Sequence, residues 1–122
     1  PPISLFRRMA SLPTLPQPPY YAVVFTSIKR PIADAERYAQ VSARTEELAL
    51  QYPGYLGIVS VRQADDLGVT VSYWQSLDAI AAWRQDPEHL DAKARGRSDW
   101  YACYRIEICR VERAHSFPPL QT

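Results

Sequence analysis

Apolar and polar positions alternate in four stretches of this chain and recur at three-to-four spacing in two others, so the order of the two patterns predicts a fold. YYAVVFTSI, Tyr20 to Ile28, is a run of β-branched and aromatic residues that stops before Lys29-Arg30-Pro31 and reads as a largely buried first strand. Asp34 is placed to cap a helix in which Tyr38, Val41, Thr45, Leu48 and Ala49 form one stripe, with Glu36, Arg37, Gln40, Arg44 and Glu47 mainly outside it. Pro53-Gly54 ends that helix. Tyr55 to Gln63 and Val69 to Gln75 then flank Ala64-Asp65-Asp66-Leu67-Gly68, a loop of hairpin length rich in turn formers, which predicts an antiparallel pair. In the second of these strands Val69, Val71 and Tyr73 share one face while Thr70, Ser72 and Trp74 share the other. A second helix starts after the capping residue Ser76, uses Leu77, Ile80, Ala81 and Trp83, and is broken or reset near Asp86-Pro87. Its last turn runs from Glu88 to Ala94, and Gly96 closes it. Trp100 to Glu112 is the final strand, with Tyr104, Ile106 and Ile108 on one face and Cys103, Arg105, Glu107 and Cys109 on the other.

The resulting order, βαββαβ, predicts an α+β, ferredoxin-like sandwich: one antiparallel sheet with both helices on one face. The opposite face then needs cover, because apolar residues occupy both faces of several strands. Leu56 and Ile58 oppose Val59 and Val61 in one strand, and Ala22 and Val24 oppose Val23 and Phe25 in another. Leaving such a face in water exposes a larger patch than soluble monomers usually carry, so the expectation is a homodimer packed sheet to sheet, a dimeric α+β barrel. The folded domain is predicted over residues 20–117, followed by a tail at 118–122. Residues 1–19 form a proline-rich arm, since Pro13, Pro16, Pro18 and Pro19 forbid regular helix or a central strand. That arm is either a disordered or strapped tail, or lies across a partner subunit. Met9, the single methionine, leaves the true start of the chain open.

Composition narrows the function. At 122 residues and 47% hydrophobic content there is material for one core. Fourteen Lys and Arg against 13 Asp and Glu, a net charge of +1, supply no general attraction to nucleic acid or to an acidic membrane surface. No apolar run nears the roughly 20 residues that cross a bilayer, and Arg7-Arg8 with the prolines replace an apolar signal core, so a cytoplasmic location is expected. Cys103 and Cys109 lie six apart on one face of one strand, too distant to bond each other, and read as reduced thiols buried as small hydrophobes. Four glycines form neither GxGxxG nor GxxxxGK[ST], and two histidines with no CxxC or HExxH make a poor metal site. No cofactor is expected.

Four segments carry a resemblance: YYAVVFTS in the first strand, YPGYLG from Tyr52 to Gly57, SYWQSLDAIAAW from Ser72 to Trp83, and GRSDWYACYRIEICRVER from Gly96 to Arg113. In their order and spacing, over about Tyr20 to Phe117, the chain resembles the antibiotic biosynthesis monooxygenase family. That dimeric α+β barrel group includes small quinol and polyketide oxygenases and haem-degrading enzymes. The resemblance implies a pocket in each subunit between sheet and helices, with no built-in metal or nucleotide. It also implies a cofactor-independent monooxygenase whose partners are a small aromatic molecule and molecular oxygen. Such an enzyme removes a proton from a phenol or quinol, and the anion then reduces oxygen. It needs an apolar aromatic pocket, one base near neutral pH, and a cation or donor by the developing oxyanion. His89 is the candidate base, because imidazole titrates in the right range and related sequences often place a His after a Pro here. A structural hydrogen bond at a helix end is its alternative role. Trp74, Trp83, Trp100, Tyr73 and Phe25 are candidates to hold the substrate, although core packing accounts for such rings as well. Arg97, with Arg95 across Gly96, is the candidate cation, or else favours the helix end. Tyr104 and Arg44 are weaker pocket candidates.

Two other functions are compatible with the sequence. In the haem-degrading branch an iron-ligating His follows a helix Trp by ten positions; after Trp83 that position is Lys93, which leaves only His89, one helical turn earlier. The branch's Asn in the first strand also lacks a counterpart. The third reading is a dimeric module that binds a small hydrophobic molecule without turnover.

Overall fold

The computed structural model describes residues 11–31 and 35–119. Arg7, Arg8, Met9 and the expected cap Asp34 lie outside the described residues, as does the end of the tail. In chain order the elements are β1 (Tyr20–Lys29), α1 (Ala35–Leu50), β2 (Tyr55–Arg62), β3 (Leu67–Trp74), α2 (Leu77–Arg84), α3 (Pro87–Arg95) and β4 (Tyr101–Val111). The strands form one antiparallel sheet in the order β2-β3-β1-β4, the ferredoxin-like α+β arrangement.

Cross-strand register shows which residues share a face. Ile58, Ser72, Val23 and Ile108 form one inner row, and Ser60, Thr70, Phe25 and Ile106 the next. The helices cover this side: Ala49 of α1 and Ile80 and Trp83 of α2 bury against Trp74, with Leu48, Tyr52, Tyr55 and Ala79 packed around them. Gly54, which ends the α1 turn, has φ +88°, and a Cβ there would stand 2.6 Å from that of Ala79. Only glycine permits both that backbone and the close approach of α2.

Two β-bulges change the picture drawn from alternation. The β2–β3 register shifts between Tyr55 and Gly57, so Leu56 is extra and Tyr55 joins Trp74 on the inner face. The β1–β4 register shifts in the same way at Ala102, which turns Tyr101 inward to the row of Lys29. The second helix is two helices. Ser76 Oγ accepts the Ala79 N–H at 3.1 Å to start α2, and the Asp86 carboxylate accepts the His89 N–H at 3.0 Å to start α3, with Pro87 in its first turn. Gly96 caps α3 after Arg95, but not in the left-handed conformation usual for such a glycine. Its φ and ψ of −57° and −46° are helical, and the chain runs on through a π-helical turn, Gly96–Trp100, that takes Trp100 out of the strand. Glycine at this position makes room instead, since a Cβ would sit 3.0 Å from the Tyr101 ring.

The outer face carries Val24, Val59, Val61, Val69 and Val71, and Val61 is 65% exposed. One end is covered from within the chain: Pro13 of the arm packs on Gly57, and the Tyr20 ring meets Tyr73 edge-on at 5.9 Å. Cys103 and Cys109 are both free and exposed, contrary to the buried role expected of them. They stand on the outer side of β4, an edge strand whose neighbouring positions there are the ion-paired Arg105 and Glu107.

Candidate active site

Between the inner face and the helices lies a cavity of about 250 Å³, walled by Val23, Phe25, Ile58 and Ile106 of the sheet and by Val41 and Thr45 of α1. Its two ends differ in chemistry. At the first, the Ser76 cap starts α2 so that Trp83 stacks on Trp74, with ring centroids 6.2 Å apart at 23°. The Asp86 cap then starts α3 so that the His89 ring lies on Trp83 at 4.2 Å and 12°. Tyr52 packs edge-on against Trp83 at 5.2 Å, and its hydroxyl donates to Asp86, bracing the cap from α1's side.

His89 Nδ1 is 3.2 Å from the Trp83 carbonyl oxygen. A carbonyl only accepts, so this bond holds the proton on Nδ1 and leaves the lone pair on Nε2. Burial holds the imidazole below its ordinary pKa of 6.5; Lys93 and Arg84 push the same way, against the Trp83 carbonyl and Asp86. His89 is therefore neutral at pH 7, with the tautomer a base requires.

At the second end, Arg62 from β2 meets Tyr38, Tyr101 and Tyr104. The Arg62 guanidinium lies flat against Gly68, where a Cβ would stand 2.4 Å from Cζ. Its Nη2 donates to Ser27 Oγ at 2.7 Å, and Nη1 to the carbonyls of Ser27, at 3.4 Å, and Asp66. Tyr38 and Tyr101 share a hydroxyl–hydroxyl bond of 3.1 Å, and Phe25 touches Tyr101 and Tyr104 at 5.3 and 5.4 Å. Burial, followed by the Tyr38 hydrogen bond, pushes the Tyr101 phenol well above its usual range, while Arg62 pulls it down. Tyr101 is thus a neutral phenol near pH 7. Gly68 and Trp74, which mark the two ends, are separated by six residues of strand, about 20 Å.

Of the residues singled out from sequence, Phe25, Trp74, Trp83, His89 and Trp100 line the cavity, as do Tyr104 and Lys93. Tyr73 does not: it projects from the outer face, where alternation from Trp74 puts it. Arg97 is exposed in the π-helical turn and is no part of the lining. Arg95 pairs with Asp91 at 3.3 Å, and Arg44 with Glu88 and Glu47, outside this cavity. Two other guanidinium groups do line it, Arg84 at the His89 end and Arg62 at the far end; Arg62 is legible in the alternation Ile58, Ser60, Arg62. Tyr101 carried no such signal, because a bulge sets its direction. Among the described residues no group of three or more His, Cys, Asp or Glu side chains is placed to hold a metal ion, and no helix is long and apolar enough to cross a membrane.

A family model described as antibiotic biosynthesis monooxygenase matches residues 19–95. Over 109 residues the chain is 46% identical to the uncharacterised protein YqjZ of Bacillus subtilis, a match spanning 89% of this chain and 94% of that one. Among solved structures it is similar to SnoaB, a cofactor-independent oxygenase from Streptomyces nogalater, with a TM-score of 0.64 and 20% identity, covering 83% of this chain and 99% of that one. The structure of Rv0793 from Mycobacterium tuberculosis gives a TM-score of 0.68 at 14% identity, covering 80% of this chain and 99% of the other. At these identities the two structures speak to the fold alone.

Proposed function

The chain belongs to the antibiotic biosynthesis monooxygenase family, and from that premise we propose that it is a cofactor-independent monooxygenase acting on a small aromatic substrate of the quinol, anthrone or polyketide kind. The observation that carries this reading is His89, a neutral imidazole lining an aromatic cavity with its lone pair on Nε2. In the proposed reaction Nε2 takes the proton of the enolised or phenolic hydroxyl, and the resulting anion gives an electron to dioxygen. For an anthrone-type CH₂, uptake of O₂ yields C=O and one water, so the atoms balance without an outside reductant. Trp83, Trp100 and Phe25 hold the flat substrate, and the fully buried Trp74 backs Trp83 from behind. The supporting similarity is to SnoaB, which is a cofactor-independent oxygenase.

The same reading includes a homodimer through the outer sheet face, supported by its valine rows and the 65% exposure of Val61. Sedimentation showing a monomer at micromolar concentration would count against it.

One observation favours a binding module instead. The Trp74–Trp83–His89 stack is also core packing, and the His89 hydrogen bond to Trp83 is sufficient as a structural role. Oxygen uptake with a panel of quinols and anthrones separates the two readings. A base contributes about 100- to 10,000-fold, so His89→Ala is expected to abolish measurable turnover. Saturable quenching of Trp fluorescence without oxygen uptake by the wild type would give the binding module precedence.

A further inference from the structure

Arg62 is the cationic group at the end of the cavity far from His89, and no carboxylate among the described residues forms an ion pair with it. Its hydrogen bonds use one side of the guanidinium. Nη1 spends both protons on the carbonyls of Ser27 and Asp66, and Nη2 spends one on Ser27 Oγ. Arginine has five N–H donors, so Nε–H and the second Nη2–H are left. These two point the same way along one edge, the edge that binds a carboxylate side-on. Elsewhere in this molecule Arg44 uses that pair on Glu88, with Nε to Oε2 at 3.0 Å and Nη2 to Oε1 at 3.2 Å. Arg62 lines the cavity, and its Nε, which has no partner, is not fully buried, since no buried side-chain nitrogen or oxygen among the described residues lacks a partner.

The fixing of Arg62 matters as much as its charge. Contact with Gly68 holds one face of the guanidinium, and the Ser27 and Asp66 bonds fix its rotation, so the open edge needs little ordering when a ligand arrives. The cavity walls between this edge and the Trp stack combine apolar Val23, Phe25, Ile58 and Ile106 with the hydroxyls of Ser60, Thr70 and Ser72, and Glu46 is the one carboxylate among the described lining residues. We propose that Arg62 is the specificity residue of this cavity and that it receives, through its Nε–Nη2 edge, the carboxylate of a planar aromatic acid. The ligand's ring system then extends along Phe25 toward Trp83 and His89. This inference rests on the reading of the cavity as the ligand site, and not on the oxygenation chemistry.

The test is binding of naphthalene-2-carboxylate and its neutral analogue naphthalene-2-carboxamide, followed by Trp fluorescence and calorimetry on the full chain. A charged, two-point hydrogen bond predicts that wild type prefers the carboxylate about tenfold or more. In Arg62→Met the ratio is expected to fall to near one, whereas in Lys93→Met and in Arg84→Met, which remove the two lining cations on the His89 side, it is expected to persist. Equal affinities in wild type overturn the assignment to Arg62 while leaving the cavity as a ligand site. A preference that survives Arg62→Met, or one that disappears in Lys93→Met, also overturns it. If Arg62→Met does not fold, the wild-type comparison and those in Lys93→Met and Arg84→Met still decide, because a preference lost in either variant overturns the assignment. Failure of both probes to bind defeats the cavity reading itself, and the Arg62 assignment with it.

Discussion

The two ends of the cavity are both rich in aromatic rings, yet they hold those rings by different means. At the Trp74 end Trp74, Trp83 and His89 stack face to face, with Tyr52 and Tyr55 edge-on beside them, and the two indoles disappear into the core: Trp74 is 0% exposed and Trp83 7%. At the Arg62 end Tyr38, Tyr101 and Tyr104 are only partly buried, and they meet edge-on or tilted, joined by a hydroxyl–hydroxyl bond. The first arrangement supports the fold and carries His89 as its outermost layer. The second leaves polar groups and a fixed cation for a ligand. A ring at the first end is therefore expected to matter to stability, and a group at the second to recognition.

Trp74→Ala tests this most severely. Truncating a fully buried tryptophan typically costs about 3–5 kcal/mol, and a loss of that size is expected in urea denaturation, with ligand affinity following from unfolding. Tyr101→Phe removes one part-buried hydroxyl pair and is expected to cost about 1 kcal/mol. Comparable losses for the two variants would break the contrast between the ends.

A subtler effect comes from pH. Burial depresses the folded-state pKa of His89 below 6.5, so between the two values the unfolded chain binds more protons than the folded one. The contribution of neutral His89 to stability is complete above about pH 6.5 and is lost as pH falls through the folded value. Urea midpoints of wild type and His89→Gln, measured from pH 7.5 to 5, are expected to fall further in wild type than in the variant. A parallel fall in both would place the titrating group elsewhere. The same protonation predicts an acid limb in oxygen uptake that lies below pH 6.5.

The sequence was most informative where local rules act alone. The alternation of β3 assigns Trp74 inward and Tyr73 outward, and the Ser76 and Asp86–Pro87 signals mark the starts of both short helices. These features together position Trp83 and His89. What alternation missed depended on one-residue irregularities. The bulges at Leu56 and Ala102 turn Tyr55 and Tyr101 inward, and nothing in a strand's composition announces where a bulge falls. Gly96 misled for a related reason. Glycine after a helix suggests a stop, and the α-helix does stop at Arg95, but Gly96 keeps a helical conformation that serves close packing with Tyr101 and leads into a π-helical turn. Arg97 stands out in sequence for its place beyond the helix, whereas the cation at the tyrosine end of the cavity comes from the end of β2, brought there by strand pairing with Gly68.

The most direct test of the central claim, that His89 acts as the base of an oxygenation in this cavity, is turnover of an anthrone under isotope-labelled dioxygen. Product is analysed by mass spectrometry for wild type and for His89→Ala shown to be folded. The expected result is one labelled oxygen atom in the new carbonyl group, with formation abolished in the variant. Unlabelled product, or labelled product formed at an undiminished rate by His89→Ala, would contradict it.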